Sequence, residues 1–223
     1  MTWDPTWEMI FRARDWGRYP PEELVRFIMR RYGQVPDRSR VCILEVGCGT
    51  GANLWFMARE GFNAWGIDAA HAAIARAQER REVERVSYRL TRLEALELAG
   101  LFKEASVDAV IDVCCLQHNR HADIQAIVEQ MHTVLKPGGR VFSMMVASGS
   151  WGDWMGRRIE PGTYTDIPEG PAAGVGLTRF SSYREVAEHF AAFSDLSIEY
   201  SSRSMMNREH TWNHWVVEGV KGK

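Results

Sequence analysis

The chain has 223 residues, which is long enough for one domain with a substantial buried core. Hydrophobic residues make up 45% and charged residues 25% of the sequence, as in ordinary globular proteins. The net charge of −2 and the isoelectric point near 6.4 leave no general basic surface, so we expect no nucleic-acid partner.

No apolar run approaches the roughly 18 residues that a membrane span requires. Residues 1–23 mix acidic and aromatic side chains and lack the layout of a secretory signal. We therefore expect a cytoplasmic protein with no membrane partner. None of the cysteines forms a C-x-x-C pair, so buried thiols are expected at all four positions: Cys42, Cys48, Cys114 and Cys115.

Short apolar runs alternate with amphipathic segments along the chain. The helices predicted from this pattern are Pro21–Arg31, Ala52–Glu60, Ala69–Arg80, Ala122–Leu135 and Ser182–Phe193. The predicted strands are Val41–Val46, Phe62–Ile67, Val86–Leu90, Val107–Cys115, Arg140–Val146, Leu196–Ser201 and Trp212–Val220. Strands that alternate with helices imply βαβ units and a mostly parallel sheet.

The connections divide the chain into regions of one expected domain. Lys136–Gly139 reads as a turn, and Ala147–Phe180 reads as a long irregular stretch of the kind that forms lids or binding loops. We expect four regions in chain order, namely an N-terminal cap or lid helix region, a cofactor-binding core, a substrate-side insert loop and a C-terminal helix with strands: 1–35, 36–147, 148–181 and 182–223.

Tryptophans concentrate outside the central core. The flanking ones are Trp3, Trp7, Trp16, Trp151, Trp154, Trp212 and Trp215. Packing explains most of them, but their placement indicates that the flanks wrap something apolar.

A glycine-rich turn follows the first predicted strand and opens a helix. Gly47, Gly49 and Gly51 permit backbone angles closed to other residues and let a ligand approach the backbone N–H groups. Twenty-one residues after Gly47, the second strand ends at Asp68, where a carboxylate can accept hydrogen bonds from both hydroxyls of a ribose. The loop and the acid together predict a cofactor that contains adenosine.

Two cofactor classes fit the loop. The pattern Gly47-x-Gly49-x-x-Ala52 suits a dinucleotide such as NAD. With Glu45 included, the pattern E-x-G-x-G-x-G resembles motif I of class I S-adenosylmethionine (SAM)-dependent methyltransferases. The resemblance continues over residues 41–147 through Ile67–Asp68, through the fourth-strand segment Val107–His118 and through the L-K-P-G-G turn that begins at Leu135.

This resemblance implies an α/β three-layer sandwich whose mostly parallel seven-stranded sheet has its last strand antiparallel. It also implies SAM as cofactor and S-adenosylhomocysteine (SAH) as product. Glu45 would lie near the methionine amino group or order the loop. The backbone of the loop would line the cofactor at Gly47, Cys48, Gly49 and Gly51.

The remaining cofactor contacts follow the same resemblance. Asp68 would bind the ribose, with Ala69 beside the adenine. Many relatives have Gly-Asp after the third strand, whereas this chain reads Thr91–Arg92–Leu93–Glu94. Either Glu94 replaces that acid, with Leu93 beside it, or backbone and apolar contacts hold the adenine. Asp112, followed by Val113, either contacts the amino end of the cofactor or caps a local turn.

His118 is the candidate base for the transfer, because relatives place residues that face the methyl group just after the fourth strand. A structural histidine bonded to backbone is the alternative. His118 and His121 lie three residues apart, but no convincing third ligand exists, so no metal is expected.

The flanks supply the candidate substrate-side residues. Trp16–Pro20 could fold over the cofactor as a lid, and Arg18 and Arg179 could pair with an anion on the acceptor. Ordinary surface ion pairs are the alternative for both arginines. Tyr19 and Tyr164 complete this set, the second within a glycine- and proline-rich segment.

The acceptor is expected to be a small molecule, such as a hydroxyl or amine of a sugar or metabolite. The fourth strand lacks the Asn/Asp-Pro-Pro-Tyr/Phe run of enzymes that methylate amino groups of bases. The arrangement resembles small bacterial methyltransferases of surface-carbohydrate and secondary-metabolite pathways. Two other readings stay open: an NAD-dependent oxidoreductase, for which a Tyr-x-x-x-Lys pair is missing, and a cofactor-binding but inactive partner subunit. The sequence does not indicate an oligomeric state.

Overall fold

The computed structural model describes residues 3–14 and 16–222. The helices in this part of the chain are α1 (Thr6–Ala13), α2 (Glu22–Tyr32), α3 (Ala52–Arg59), α4 (His71–Val83), α5 (Leu98–Leu101), α6 (His121–Val134) and α7 (Tyr183–His189). The strands are β1 (Cys42–Val46), β2 (Asn63–Asp68), β3 (Arg89–Arg92), β4 (Val107–Val113), β5 (Leu135–Val146), β6 (Arg157–Glu160), β7 (Thr163–Thr165), β8 (Thr178–Arg179), β9 (Ser194–Met205) and β10 (His210–Val220).

Seven strands form one sheet in the order β3-β2-β1-β4-β5-β10-β9. The first five strands in this order pair in parallel, whereas β10 runs antiparallel to both of its neighbours, β5 and β9. The predicted α/β fold with an antiparallel last strand is therefore confirmed. Because β10 is reversed, its first residues lie at the edge of the sheet where the parallel strands end.

Helices cover both faces of the sheet, because successive side chains of a strand point to opposite sides. Ile43 of β1 packs in an apolar cluster with α2 and α3, whereas the next residue, Leu44, packs in a second cluster with α6 and α7. The strands buried on both faces read as continuous apolar runs, which is why the sequence located them well.

Two predicted elements are displaced. Strand β3 begins at Arg89, three residues later than expected, because α4 continues to Val83 and the chain then reverses at Arg85, whose φ is +53°. The predicted turn Lys136–Gly139 lies inside β5, where the register with β4 shifts and Gly138 has a φ of +77°.

The insert after β5 is not irregular, contrary to the prediction. Its strands β6, β7 and β8 form a separate three-stranded antiparallel sheet. These strands have only two to four residues each, which is too short for a recognisable alternation of apolar and polar side chains.

Helix α1 was not predicted either. It has eight residues, and Ile10 and Phe11 are the ones it buries. Asp4 precedes it and accepts a hydrogen bond from the N–H of Thr6 at 2.9 Å. None of the helices in the described ranges is long and apolar enough to cross a membrane.

Candidate active site

A cavity of about 650 Å³ opens at the carboxyl ends of the parallel strands, a size typical of small-molecule sites. Its floor consists of the lining residues between 45 and 53, at 68–69 and at 93–96. Its roof consists of the lining residues between 3 and 21, between 171 and 175 and between 203 and 214. Residues between 113 and 119 lie between floor and roof.

The glycine loop forms the centre of the floor. Gly47 has a φ of +68°, and a Cβ atom there would lie 2.3 Å from Sγ of Cys115, so only glycine fits. The Cys48 N–H donates to the carbonyl of Ile67 at 2.9 Å and fixes the loop to β2. Cys48 and Gly49 line the cavity as predicted. Gly51 does not, because it is the residue before α3, with a φ of +80°.

Asp68 joins the glycine loop to the start of α4. Its Oδ2 accepts from the N–H of Gly49 and its Oδ1 from the N–H of Ala70, both at 2.9 Å. Burial raises the pKa of Asp68 to about 6. Each carboxylate oxygen has two lone pairs, so capacity remains for hydroxyl groups of a ligand.

Glu45 lines the cavity and has one carboxylate oxygen without a hydrogen-bond partner among the described residues. Its Oε1 accepts from Nδ2 of Asn53 at 2.6 Å, whereas its Oε2 is buried and has no hydrogen-bond partner among the described residues. Burial raises the pKa of Glu45 well above its usual range, and the charges of Asp68 and Asp112 raise it further. A buried polar atom without a partner is rare, so this oxygen is open to a hydrogen-bond donor from a ligand or a water molecule.

Of the other residues predicted to bind the cofactor, four lie at the cavity and one does not. Ala69, Leu93, Glu94 and Val113 line the cavity. Asp112 does not line it.

The carboxylate of Asp112 instead caps the turn after β4. Its Oδ1 accepts from the N–H groups of Cys115 and Leu116 at 2.8 and 3.0 Å, and its Oδ2 accepts from Oγ of Ser143 at 2.6 Å. Of the two roles left open, the structure supports the local cap.

His118 has both ring nitrogens engaged. Oε1 of Gln117 accepts from the N–H of Val146 at 2.8 Å, so Nε2 of Gln117 faces Nε2 of His118, 3.2 Å away, as a donor. Nε2 of His118 is therefore an acceptor, and Nδ1 carries the proton and donates to the carbonyl of Leu177 at 2.9 Å. Burial lowers the pKa of His118 to about 4, so the ring is neutral at pH 7.

Aromatic side chains of α1 and the segment after it form much of the roof. The Trp7 ring lies 4.5 Å from the His118 ring and 5.1 Å from the Trp16 ring, measured between centroids. Phe11 lies over Gly49, its nearest ring atom 3.5 Å from the position of a Cβ there. These contacts support the prediction that the flanking tryptophans surround an apolar space.

The roof is fastened to the insert through Leu177. Oδ2 of Asp4 accepts from the Leu177 N–H at 2.8 Å, while the Leu177 carbonyl accepts from His118. The backbone of one residue, Leu177, therefore connects the N-terminal segment, the insert and the end of β4.

Three predicted substrate-side residues lie away from the cavity. Arg179 is 2% exposed, and its guanidinium pairs with Glu160 and Glu185 between β8 and α7. Tyr164 is buried against Phe180.

The third, Arg18, is exposed, and its carbonyl accepts from Nη2 of Arg80. Tyr19 alone of the four lines the cavity, at the mouth, and is 66% exposed. Trp16–Pro20, the predicted lid, therefore lies over the cavity with Trp16, Gly17 and Tyr19.

Sequence reasoning missed several lining residues. Apart from tryptophans, those that bear polar groups are Asp4, Thr50, Asn53, Cys114, Gln117, Asn119, Arg203 and His214. Trp212 carried a signal, as one of the flanking tryptophans. Arg203 and His214 carried none, because β9 and the reversed strand β10 bring them to the site from a distant part of the chain. Asp4 precedes α1, which was not predicted. The remaining ones are close in sequence to residues that were predicted, namely Gly49, Val113 and His118. His118 and His121 do not form a pair, since His121 packs against His189 with 4.6 Å between ring centroids.

Comparison with known proteins agrees with this geometry. Residues 43–139 match the family profile described as a methyltransferase domain. A ubiquinone biosynthesis O-methyltransferase of Acinetobacter baumannii is 37% identical over 106 residues, which are 45% of this chain and 41% of that protein. The chain thus spans about two fifths of the length of the curated relatives it matches.

Solved structures share the fold over most of the chain. A SAM-dependent methyltransferase of Methanosarcina mazei superimposes with a TM-score of 0.68 and 19% identity over 87% of this chain and 97% of that one. The 1,6-didemethyltoxoflavin N1-methyltransferase of Burkholderia thailandensis was solved with 1,6-didemethyltoxoflavin and SAH bound. It superimposes with a TM-score of 0.63 and 18% identity over 91% of this chain and 78% of that one. The chain therefore shares the α/β fold of these methyltransferases, and the match to the methyltransferase-domain profile lies within it, over residues 43–139.

Proposed function

We propose that this protein transfers the methyl group of SAM to a hydroxyl group of a small molecule and releases SAH. The observation that carries the proposal is the buried, unpartnered Oε2 of Glu45 beside the glycine loop. The ammonium group of the methionine part of SAM is positively charged and can donate a hydrogen bond to this carboxylate oxygen.

The charges around the cavity favour SAM over NAD. The described lining residues include four acids, Asp4, Glu45, Asp68 and Glu94, and one guanidinium, Arg203. SAM carries a sulfonium and an ammonium, whereas NAD would place a pyrophosphate near the carboxylates of Glu45 and Asp68. Like charges at that distance in a partly buried site are strongly unfavourable.

The residues of the floor fit the parts of SAM in order. Asp68 would accept from the ribose hydroxyls, while Ala69, Leu93 and Glu94 would surround the adenine. When bound, SAM supplies an electrophilic methyl group, and the protein contributes orientation and exclusion of water.

His118 supports a hydroxyl as the acceptor group. Its Nε2 is an acceptor, held in that state because Nδ1 donates to Leu177. An acceptor hydroxyl could replace Gln117 as the donor to this nitrogen and be oriented by it. With its pKa lowered to about 4, His118 is a weak base, suited to an acidic hydroxyl such as a phenol. The A. baumannii relative is named an O-methyltransferase, which agrees with this choice.

Isothermal titration calorimetry with SAM, SAH and NAD tests the cofactor. We expect SAM and SAH to bind to the wild type and NAD not to bind. Glu45→Gln should weaken SAH binding about tenfold or more, because a charge-assisted hydrogen bond contributes roughly 1.5–3 kcal/mol. Glu104→Gln is the matched control, since Glu104 is exposed and does not line the cavity. Binding of NAD without binding of SAH would refute the proposal.

Turnover is tested separately by release of SAH from SAM with a panel of hydroxylated acceptors. Binding of SAH without release for any acceptor would favour the inactive partner subunit over an enzyme.

A further inference from the structure

The cavity has a cation at its mouth that the transfer of a methyl group does not use. Arg203 lines the cavity and is exposed, and no carboxylate within the described ranges forms an ion pair with it. Arg179, by contrast, lies away from the cavity and pairs with both Glu160 and Glu185.

The sheet fixes where Arg203 stands. It pairs with Trp212 across β9 and β10, and directly opposite residues of an antiparallel pair project to the same face. Trp212 also lines the cavity. The side chains of Arg203 and Trp212 therefore project to the same face of the sheet, where both line the cavity.

The carboxylates near this end of the cavity already accept hydrogen bonds from other residues. Asp4 accepts from the N–H groups of Thr6 and Leu177. Glu23, at the start of α2, accepts from Oγ of Ser201, two residues before Arg203 on β9. Arg203 is thus available to a ligand, while these carboxylates bind the segments that surround the cavity to one another.

Indole rings supply the rest of the recognition surface. Trp7, Trp16 and Trp212 all belong to the roof of the cavity. The indole N–H of Trp7 is buried and has no acceptor among the described residues, so an oxygen of a ligand would satisfy it. Flat aromatic molecules gain most from such walls, because ring–ring contacts contribute about 0.5–1.5 kcal/mol beyond burial of area.

We propose that the methyl acceptor is a flat aromatic molecule that carries a carboxylate or similar anionic group, held among Trp7, Trp16 and Trp212 with its anion on Arg203. This inference rests on the proposed methyltransferase function and adds the class of acceptor. The anion at the mouth leaves the opposite end of the ring to point inward, toward His118.

Four probes test separately whether the anionic group and the aromatic ring of the acceptor are recognised. They are used in calorimetric titrations of the protein saturated with SAH. They are 3,4-dihydroxybenzoate, catechol, dopamine and cyclohexanecarboxylate, which vary the charge on one ring and then remove the aromatic ring. We expect dihydroxybenzoate to bind about three- to tenfold more tightly than catechol, with dopamine weaker than both and cyclohexanecarboxylate weaker than dihydroxybenzoate.

Variants of Arg203 assign the preference to this residue. Arg203→Met should bind dihydroxybenzoate and catechol equally, and Arg203→Glu should prefer dopamine. Arg208→Met is the matched control, because Arg208 is exposed, lies just after β9 and does not line the cavity. It should keep the wild-type order.

The failures are distinguishable. If SAH does not bind to the wild type, the proposed function fails. If SAH binds but the probes do not bind, bind equally or keep their order in Arg203→Met, the acceptor inference is wrong. A loss of SAH affinity in Arg203→Met would also overturn it, since Arg203 would then serve the cofactor.

Discussion

The floor and the roof of the cavity are built over very different lengths of chain. In the floor, Glu45 and Asn53 are eight residues apart in sequence and Gly49 and Asp68 are nineteen apart. In the roof, Asp4 and Leu177 are 173 residues apart, and His118 and Leu177 are 59 apart. The floor is therefore a property of one strand–loop–helix–strand unit, whereas the roof exists only after the whole chain has folded.

This difference suits the two functions proposed for the cavity, namely binding of the cofactor by the floor and recognition of the acceptor by the roof. A local unit can keep the same cofactor geometry in proteins that share little else. Loops and strands from distant segments can change without disturbing that geometry, which lets the acceptor differ between relatives.

The largest expected effect lies in the floor, at Gly47. In Gly47→Ala the new Cβ meets Sγ of Cys115 and the residue keeps a positive φ, so we expect a loss of about 2–5 kcal/mol in unfolding free energy. Chemical denaturation measures the loss, and calorimetry should show no binding of SAH.

Gly138→Ala is the control for Gly47→Ala. Gly138 also has a positive φ, of +77°, but nothing lies within 4 Å of a Cβ there. Gly138→Ala should lose only the unfolding free energy that comes from backbone strain, about 1–2 kcal/mol. It should bind SAH as the wild type does. Equal losses in both variants would show that contact with Cys115 does not matter.

The second effect lies under the roof, at Arg179. Replacement by Met removes the partner of Glu160 and Glu185, and we expect about 2–4 kcal/mol of destabilisation, less than for a fully buried pair because both carboxylates are partly exposed. SAH affinity should stay within about twofold, since the floor does not involve these residues. Arg157→Met, which breaks an exposed pair with Asp166, should cost less than about 1 kcal/mol.

A third prediction concerns pH. Burial raises the pKa of Asp68 to about 6 and that of Glu45 well above its usual range. As the pH falls through the pKa of Asp68, about 6, its carboxylate becomes protonated and accepts fewer hydrogen bonds, so SAH affinity should fall about tenfold or more between pH 7 and pH 5. Titrations across this range measure it, and Glu45→Gln should show a shallower slope.

The ligand-free protein should respond to pH with the opposite sign. An acid whose pKa is higher in the folded than in the unfolded state stabilises the fold below its unfolded pKa. That contribution is lost as the pH rises through the folded pKa, about 6 for Asp68. Thermal unfolding between pH 4.5 and 7 checks this, and parallel trends for binding and stability would contradict the roles given to these acids.

The smallest effect is a gain in stability. Glu45→Gln removes a buried carboxylate and keeps an oxygen for Nδ2 of Asn53, so the ligand-free protein should be stabilised by about 1 kcal/mol, or about 2–4 °C in Tm. Calorimetric melting in the absence of SAH measures it. A lower Tm would mean that the charge of Glu45 supports the fold rather than the ligand.

The sequence was informative where local rules decide the structure. Gly47, Gly49 and Asp68 could be assigned because a positive φ and the end of an apolar strand leave a pattern in a short stretch of chain. The same rules located β1, β2 and β4 within one or two residues.

Arg179 shows why the roof could not be predicted. Its position in a glycine-rich loop suggested an anion site, but whether an arginine is buried with two glutamates depends on where β6 and α7 meet β8. Arg203 shows the converse, because nothing in its neighbours along β9 marks it as facing a cavity. Its position follows from the pairing with β10, which the sequence does not specify.

The backbone of Leu177 couples the roof to the end of β4. Its N–H is bound to Asp4 of the N-terminal segment, and its carbonyl is bound to Nδ1 of His118. Because the floor and the roof enclose one cavity, a cofactor and an acceptor bound there would share its opening. A displacement of Leu177 that widened this opening would break both bonds together, so we expect access to the cavity and the orientation of the His118 ring to change in one step.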